Sequence, residues 1–134
     1  MGWTGATEDT IHEVSSEEHL KGLVSDPKLK FYVSEENGEI TGFAANRVQD
    51  ASTIELAGII VRDDLLGKGI GSLLISKCIG SARDAGFSGM VVKTEASNER
   101  AISFYVKKGF VRLGNAVEIV ENSKIGLATL RLTL

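Results

Sequence analysis

One cysteine, one proline and two histidines are the whole supply of those residues in 134 positions. The lone Cys78 excludes an internal disulfide and any cysteine-rich zinc site, and it fits a reducing cytoplasm. His12 and His19 have no companion at metal-ligand or triad spacing, and no Gly-x-Ser-x-Gly nucleophile motif is present. The expectation is therefore an activity without a metal. No apolar run approaches the roughly 20 residues of a membrane span. The start, Met1-Gly2-Trp3-Thr4-Gly5-Ala6-Thr7-Glu8, lacks the apolar core of a secretory signal. A formal net charge of −3 removes any general attraction to nucleic acid or anionic membrane.

Glycine, by contrast, is plentiful, and three of the 15 glycines fall at alternate positions in Leu66-Gly67-Lys68-Gly69-Ile70-Gly71. Glycines so placed keep side chains away from the backbone, so amide N–H groups can converge on an anion. The segment precedes a helical pattern, whose first turn adds unpaired N–H groups and the positive end of a dipole. A phosphate or pyrophosphate belongs there.

The remaining pattern is that of one α+β domain over residues 1–134, with 43% hydrophobic residues for its core. Ile11 to Val14 reads as a strand, and Ser15 or Ser16 caps a helix over Glu17–Val24 that ends at Asp26-Pro27. Phe31 to Ser34 and Ile40 to Arg47 flank the hairpin signal Glu36-Asn37-Gly38-Glu39. Thr53 to Val61 reads as a central strand, with Gly58 marking a bulge or a close approach. Ile70, Leu73, Leu74, Cys78 and Ala82 recur at helical spacing up to Gly86. Met90 to Thr94 is a buried strand and Asn98 to Lys108 a second amphipathic helix closed by Gly109. Phe110 to Val120 and Leu127 to Leu134 form a closing antiparallel pair.

Three phosphate loops compete for the glycines. A Walker-type loop needs Ser or Thr after its lysine, and Gly69 follows Lys68. A dinucleotide fingerprint is imitated by the strand, the glycines, the helix and Glu95 on the next strand, but Arg62–Leu66 separates Val61 from the first glycine where that turn is tight. The third reading joins Ile54 to Val61, the loop Gly67 to Gly71, and Asn98-Glu99-Arg100-Ala101-Ile102-Ser103-Phe104-Tyr105-Val106-Lys107-Lys108-Gly109-Phe110. Together these resemble the GNAT family of acyl-CoA-dependent N-acetyltransferases. That family carries a Gln/Arg-x-x-Gly-x-Gly/Ala loop and later an Asn followed by a Tyr-x-x-x-Gly-Phe helix end. The resemblance covers roughly residues 31 to 134, and Leu66 stands where the family usually has Gln or Arg.

The resemblance implies a central mixed, mostly antiparallel sheet, splayed between two central strands and flanked by helices. It implies direct acetyl transfer from acetyl-CoA to a primary amine in a ternary complex. The pyrophosphate would sit on Leu66, Gly67, Lys68, Gly69, Ile70, Gly71 and Ser72. Main-chain groups of Ile59, Ile60 and Val61 would hold the pantetheine arm and the thioester carbonyl. Asn98, Ala101, Phe104 and Lys107 complete the cofactor contacts, with Lys108 a further cation near the phosphates. Tyr105 corresponds to the general acid that protonates the leaving thiolate, and Glu55 to a base, directly or through water, with Glu95 a secondary candidate. The acceptor is a small-molecule amine or a peptide or protein amine. A short N-terminal acceptor-side region, about residues 1–30, implies either an open cleft or one closed by a second copy in a homodimer. The alternatives are a catalytically weak acyl-CoA-binding regulatory module and a small dinucleotide-binding domain.

Overall fold

Asn37 and Gly38 set the first hairpin. Both have positive φ, 53° and 82°, the left-handed pair that a tight hairpin turn asks of its central residues. They join β2 (Leu29–Glu36) to β3 (Glu39–Val48). After β3 the carboxylate of Asp50 accepts from the backbone of Ser52 (2.9 Å) and Thr53 (2.8 Å), turning the chain into β4 (Thr53–Val61). Those backbone donors hold the Asp50 carboxyl below the ordinary carboxylate range.

The computed structural model describes residues 11–14, 28–120 and 123–134, with side chains described over 28–114 and 126–134. Beyond the first hairpin come helix α1 (Ile70–Asp84), β5 (Gly89–Glu95), helix α2 (Glu99–Lys107), β6 (Val111–Val120) and β7 (Ser123–Thr133). With β1 (Ile11–Val14), the described strands form one sheet in the order β1-β2-β3-β4-β5-β7-β6. Every neighbouring pair is antiparallel except β4 and β5. The mixed, mostly antiparallel sheet and flanking helices agree with the sequence-based expectation.

Helix α1 starts after Gly69 (φ 85°) and stops before Gly86 (φ 90°). Its end is a glycine cap: Phe87 N–H reaches the Ala82 carbonyl at 3.1 Å and Gly86 N–H the Arg83 carbonyl at 3.0 Å. Its apolar stripe, Ile70, Leu74, Ile75, Cys78, Ile79 and Ala82, is buried. The helix lies low on the sheet because β3 offers small residues beneath it. A Cβ on Gly42 would stand 2.9 Å from the Ile60 carbonyl, 3.1 Å from Leu74 Cδ1 and 3.3 Å from Ile70 Cγ2. Two polar ties fix its position. Asn46 Nδ2 donates to the Cys78 carbonyl at 3.1 Å, and the Tyr32 and Ser81 hydroxyls pair. Ile54, Leu56, Met90, Val92, Leu130 and Leu132 complete this core, while Phe31, Val33 and Ala45 form a separate buried cluster.

Sequence reading placed β4 end to end and every other described strand within a few residues. The largest difference is β7, which begins at Ser123, four positions before Leu127. There the partner strand β6 supplies hydrogen bonds that carry the ladder past the apolar alternation. The helix expected over Glu17–Val24 and the residue Trp3 lie outside the described residues.

Three stability outcomes follow from this packing. Gly42→Ala loses about 1–3 kcal/mol in urea unfolding, because Ile70, Leu74 and the Ile60 carbonyl leave no room for a methyl group. Gly80→Ala, inside α1 with nothing within 4 Å of its Cβ position, gains about 0.5–1 kcal/mol. Burial pushes the Cys78 thiol up from 9.0 to about 12. The native state therefore keeps a proton that the unfolded chain gives up, so this group's contribution is intact below pH 9 and is lost as pH rises toward 12. Cys78→Ala removes that part of the alkaline slope in thermal melts.

Candidate functional site

Strands β4 and β5 pair over three rungs only: Thr53 with Gly89, Ile54 with Met90 and Glu55 with Val91. Beyond Glu55 they part. Strand β4 stays with β3 as far as Val61 opposite Gly42, and β5 stays with β7 as far as Glu95 opposite Leu127. The cause of the parting is local. Ala45 faces Gly58 while its neighbour Asn46 faces Leu56, so Ala57 is an extra residue on β4 and bends it. Gly58 lies at this bulge, as the sequence suggested. Side-chain parity reverses across it: Ile54 and Leu56 point into the helix-side core before it, Ile59 and Val61 after it.

Because β4 and β5 run in parallel, the segments that follow them emerge at the same end of the sheet. The β4 side continues through a 3-10 turn (Asp63–Leu65) into the glycine loop. Leu65 is buried and anchors the loop, while Leu66 projects into solvent. Gly67 and Gly69 both have positive φ, 79° and 85°, a conformation that other residues adopt only at a cost. Gly69 is the N-cap of α1 and offers no side chain to the first turn. The N–H groups of Ile70, Gly71 and Ser72 thus start the helix without a side-chain cap, which is the arrangement that receives an anion. Gly71 brings the helix start against the neighbouring elements: its Cβ position lies 3.7 Å from the Phe104 ring and 3.8 Å from Val61.

The loop carries two aspartates close to this anion-receiving end. Arg62 offsets one of them, meeting the Asp64 carboxylate through Nε and Nη2 at 2.7 and 2.8 Å and reaching Glu39 at 3.2 Å. The guanidinium holds the Asp64 carboxyl below its ordinary range. It also ties the loop to the β2–β3 hairpin, together with the Arg62 N–H bond to the Thr41 carbonyl (2.9 Å). Sequence reading missed Arg62, although an arginine two residues before an aspartate beside a phosphate loop was a usable signal. Lys68 and Lys107 are exposed, and Lys108 Nζ stands 5.6 Å from the Phe104 ring centroid.

On the β5 side, Asn98 caps α2 by accepting from the Ala101 N–H at 3.1 Å. Two turns on from the cap, Tyr105 is buried to 7% exposure. Its ring meets Phe104 edge-on at 5.5 Å and Phe110 at 5.6 Å. No hydrogen bond to its hydroxyl is found among the described residues, and the oxygen is not one of the fully buried polar atoms left without a partner. Burial, with the Cys78 thiol nearby, pushes the phenol above its ordinary range, so it holds its proton at neutral pH.

Glu55 occupies the last rung before the gap. It pairs across the sheet with Arg47, its Oε1 4.0 Å from Nη1, and its side chain is 17% exposed. Arg47 is a partner that strand register alone reveals. Glu55 and Tyr105 lie on opposite faces of the sheet: Ile54 and Leu56 beside Glu55 share the core of Tyr105, and Glu55 alternates with them. Glu95, at the far end of β5, is exposed. Among the described residues no group of three His, Cys, Asp or Glu could hold a metal, and no helix is long and apolar enough to cross a membrane.

Residues 3–110 match the model of the acetyltransferase (GNAT) family. The chain is 35% identical over 114 residues to the L-amino acid N-acyltransferase MnaT of Escherichia coli, a match covering 81% of this chain and 63% of that protein. Among solved structures, yncA of Salmonella typhimurium with its cofactor acetyl-CoA superposes with TM-score 0.69 at 28% identity, covering 78% of this chain and 64% of that one. The IAA acetyltransferase of Bacillus cereus shares the fold at TM-score 0.77 and 23% identity, over 92% of this chain and 98% of that one. The glycine loop at a helix start, the parted parallel strands and the Asn98–Tyr105 helix all fall within the matched span or the shared fold, and the chain belongs to the GNAT family of acetyltransferases.

Proposed function

We propose that this protein transfers an acetyl group from acetyl-CoA to a primary amine by direct attack, with both substrates bound together. The single observation that carries the reading is the parting of β4 from β5 beside an uncapped helix start. No backbone ladder joins Leu56–Val61 of β4 to the later part of β5 among the described residues. An extended arm with amide groups, such as pantetheine, fits between them as an added strand. Its pyrophosphate then reaches the N–H groups behind Gly67 and Gly69, where Leu66 leaves binding to the main chain.

The two proton movements fall to two faces of the sheet. An ammonium with pKa near ~10.4 must lose its proton before attack, and Glu55, at the edge of the gap, accepts it directly or through a water. Main-chain donors of Ile59 to Val61 face the developing oxyanion. Tyr105 gives its proton to the departing thiolate, and its raised pKa keeps that proton in place until then. Asn98 keeps an amide N–H pair for the arm, since its oxygen is used in the cap. MnaT is named for amino-acid acceptors, and a small amine is the acceptor class favoured here. The chain spans 63% and 43% of the lengths of the first two curated relatives.

Acetyl-CoA raises the melting temperature and NAD does not, whereas Gly69→Ala diminishes the shift because an alanine resists φ 85°. Tyr105→Phe lowers kcat for thiol release by about 100-fold while the acetyl-CoA-induced shift stays as in the wild type. A Tyr105→Phe enzyme as fast as wild type at every pH removes the general-acid assignment. A chain that binds acetyl-CoA and turns over no amine is the binding module instead.

A further inference from the structure

The sheet face that carries Glu55 also carries an apolar pair. Phe43 and Ile60 stand directly opposite each other on β3 and β4, so their side chains lie side by side on one face. Both are unusually open for large apolar residues, at 36% and 58% exposure. Strand β3 is regular from Phe43 to Arg47, so Phe43, Ala45 and Arg47 share this face. The Arg47–Glu55 rung therefore closes one end of a strip and the Phe43–Ile60 rung the other, roughly 13 Å apart by strand rise.

Between the two rungs the floor is low. Ala45, buried beside Phe31 and Val33 of β2, faces Gly58, and a Cβ placed on Gly58 would meet nothing within 4 Å, so the open floor lies on the β4 side. The bulged Ala57 beside it is exposed. The strip thus has a carboxylate at one end, small residues in the middle and an apolar wall at the other end. It runs along the part of β4 that borders the gap.

We infer that the acceptor lies along this strip, its ammonium toward Glu55 and an apolar group against Phe43 and Ile60, so the substrate class is a primary amine with an apolar tail. The inference rests on the acetyl-transfer reading above. The charge of the ammonium complements Glu55 and competes with Arg47 for it. At the far end the Phe43–Ile60 rung offers a second cation apolar side chains and no carboxylate, so the cation loses its hydration there without a partner from that rung. Apolar-tailed amines are therefore selected and diamines of the same length rejected.

The test compares hexylamine with 1,5-diaminopentane, which match in length and differ by a terminal methyl in place of an ammonium. Thiol release from acetyl-CoA gives kcat/KM for each. The wild type prefers hexylamine by about tenfold or more. Phe43→Thr, a β-branched residue at an open strand position, brings the ratio to within about threefold and leaves the acetyl-CoA-induced melting shift unchanged. Phe43→Leu restores the preference. A wild-type ratio near one, or a Phe43→Thr enzyme that keeps the full preference while still acetylating amines, overturns the inference and leaves the acetyl-transfer reading standing. Absence of both the melting shift and thiol release, with these amines, amino acids and peptides alike, overturns the function itself and this inference with it.

Discussion

The rest of the molecule depends on three backbone rungs between β4 and β5 and on their ending at Glu55. A strand inside a sheet normally satisfies its N–H and C=O groups on both edges, and leaving them unmade is costly when no water or ligand replaces the partner. Here β4 gives up its second edge from Leu56 onward. It keeps a continuous ladder to β3 on the other edge, interrupted only by the extra residue Ala57. The neighbour β5 is meanwhile held straight by seven rungs to β7. One strand is bent by its bulge and the other is held by its partner, so the gap between them belongs to the fold. It is a ready-made edge for an amide-bearing ligand.

The parallel sense of that one pair has a second consequence. Both strands run toward the same end, so α1 and α2 both begin after that end of the sheet, and the first turn of α1 packs at Gly71 against Phe104 of α2. Two helix N-termini on one side make that end of the sheet receptive to anions. The acidic residues in the loop work against this, and Arg62 cancels one of them while pinning the loop to the hairpin at Glu39. The loop is thus shaped by glycine and held by an ion pair at its start. Leu65 beneath it supplies the apolar anchor. Leu66 beside it is exposed and adds no polar side chain to the loop.

Strand alternation separates the chemistry into two environments. Residues at odd positions before the bulge, such as Glu55, look away from α1, and those at even positions join the core with Tyr105 and Cys78. A carboxylate beside Arg47 on one face and a phenol held neutral in the helix-side core on the other suit opposite proton tasks. The small residues of β3 serve both faces: Gly42 admits α1 on one side, and Ala45 lowers the floor on the other.

Much of this was legible in the chain itself, because it is written in short-range chemistry. Asn37-Gly38 dictates a hairpin, Asn98 a helix cap, and Gly67 and Gly69 a left-handed loop at a helix start, each within a few residues of its cause. Together those features carried the family resemblance, and the resemblance made the ligand class readable. The pairing of Arg47 with Glu55, of Arg62 with Glu39, and of Phe43 with Ile60 was not readable. Each depends on strand register, and register is a property of two strands and the bulge between them. A one-residue shift at Ala57 changes which side chains face one another, and no local pattern records that shift. The sequence by itself determined the elements and the left-handed glycine loop at a helix start, and it named the side chains proposed to react. Only the tertiary structure decided which face each side chain takes and where the sheet opens, because hydrogen-bond register across strands sets both.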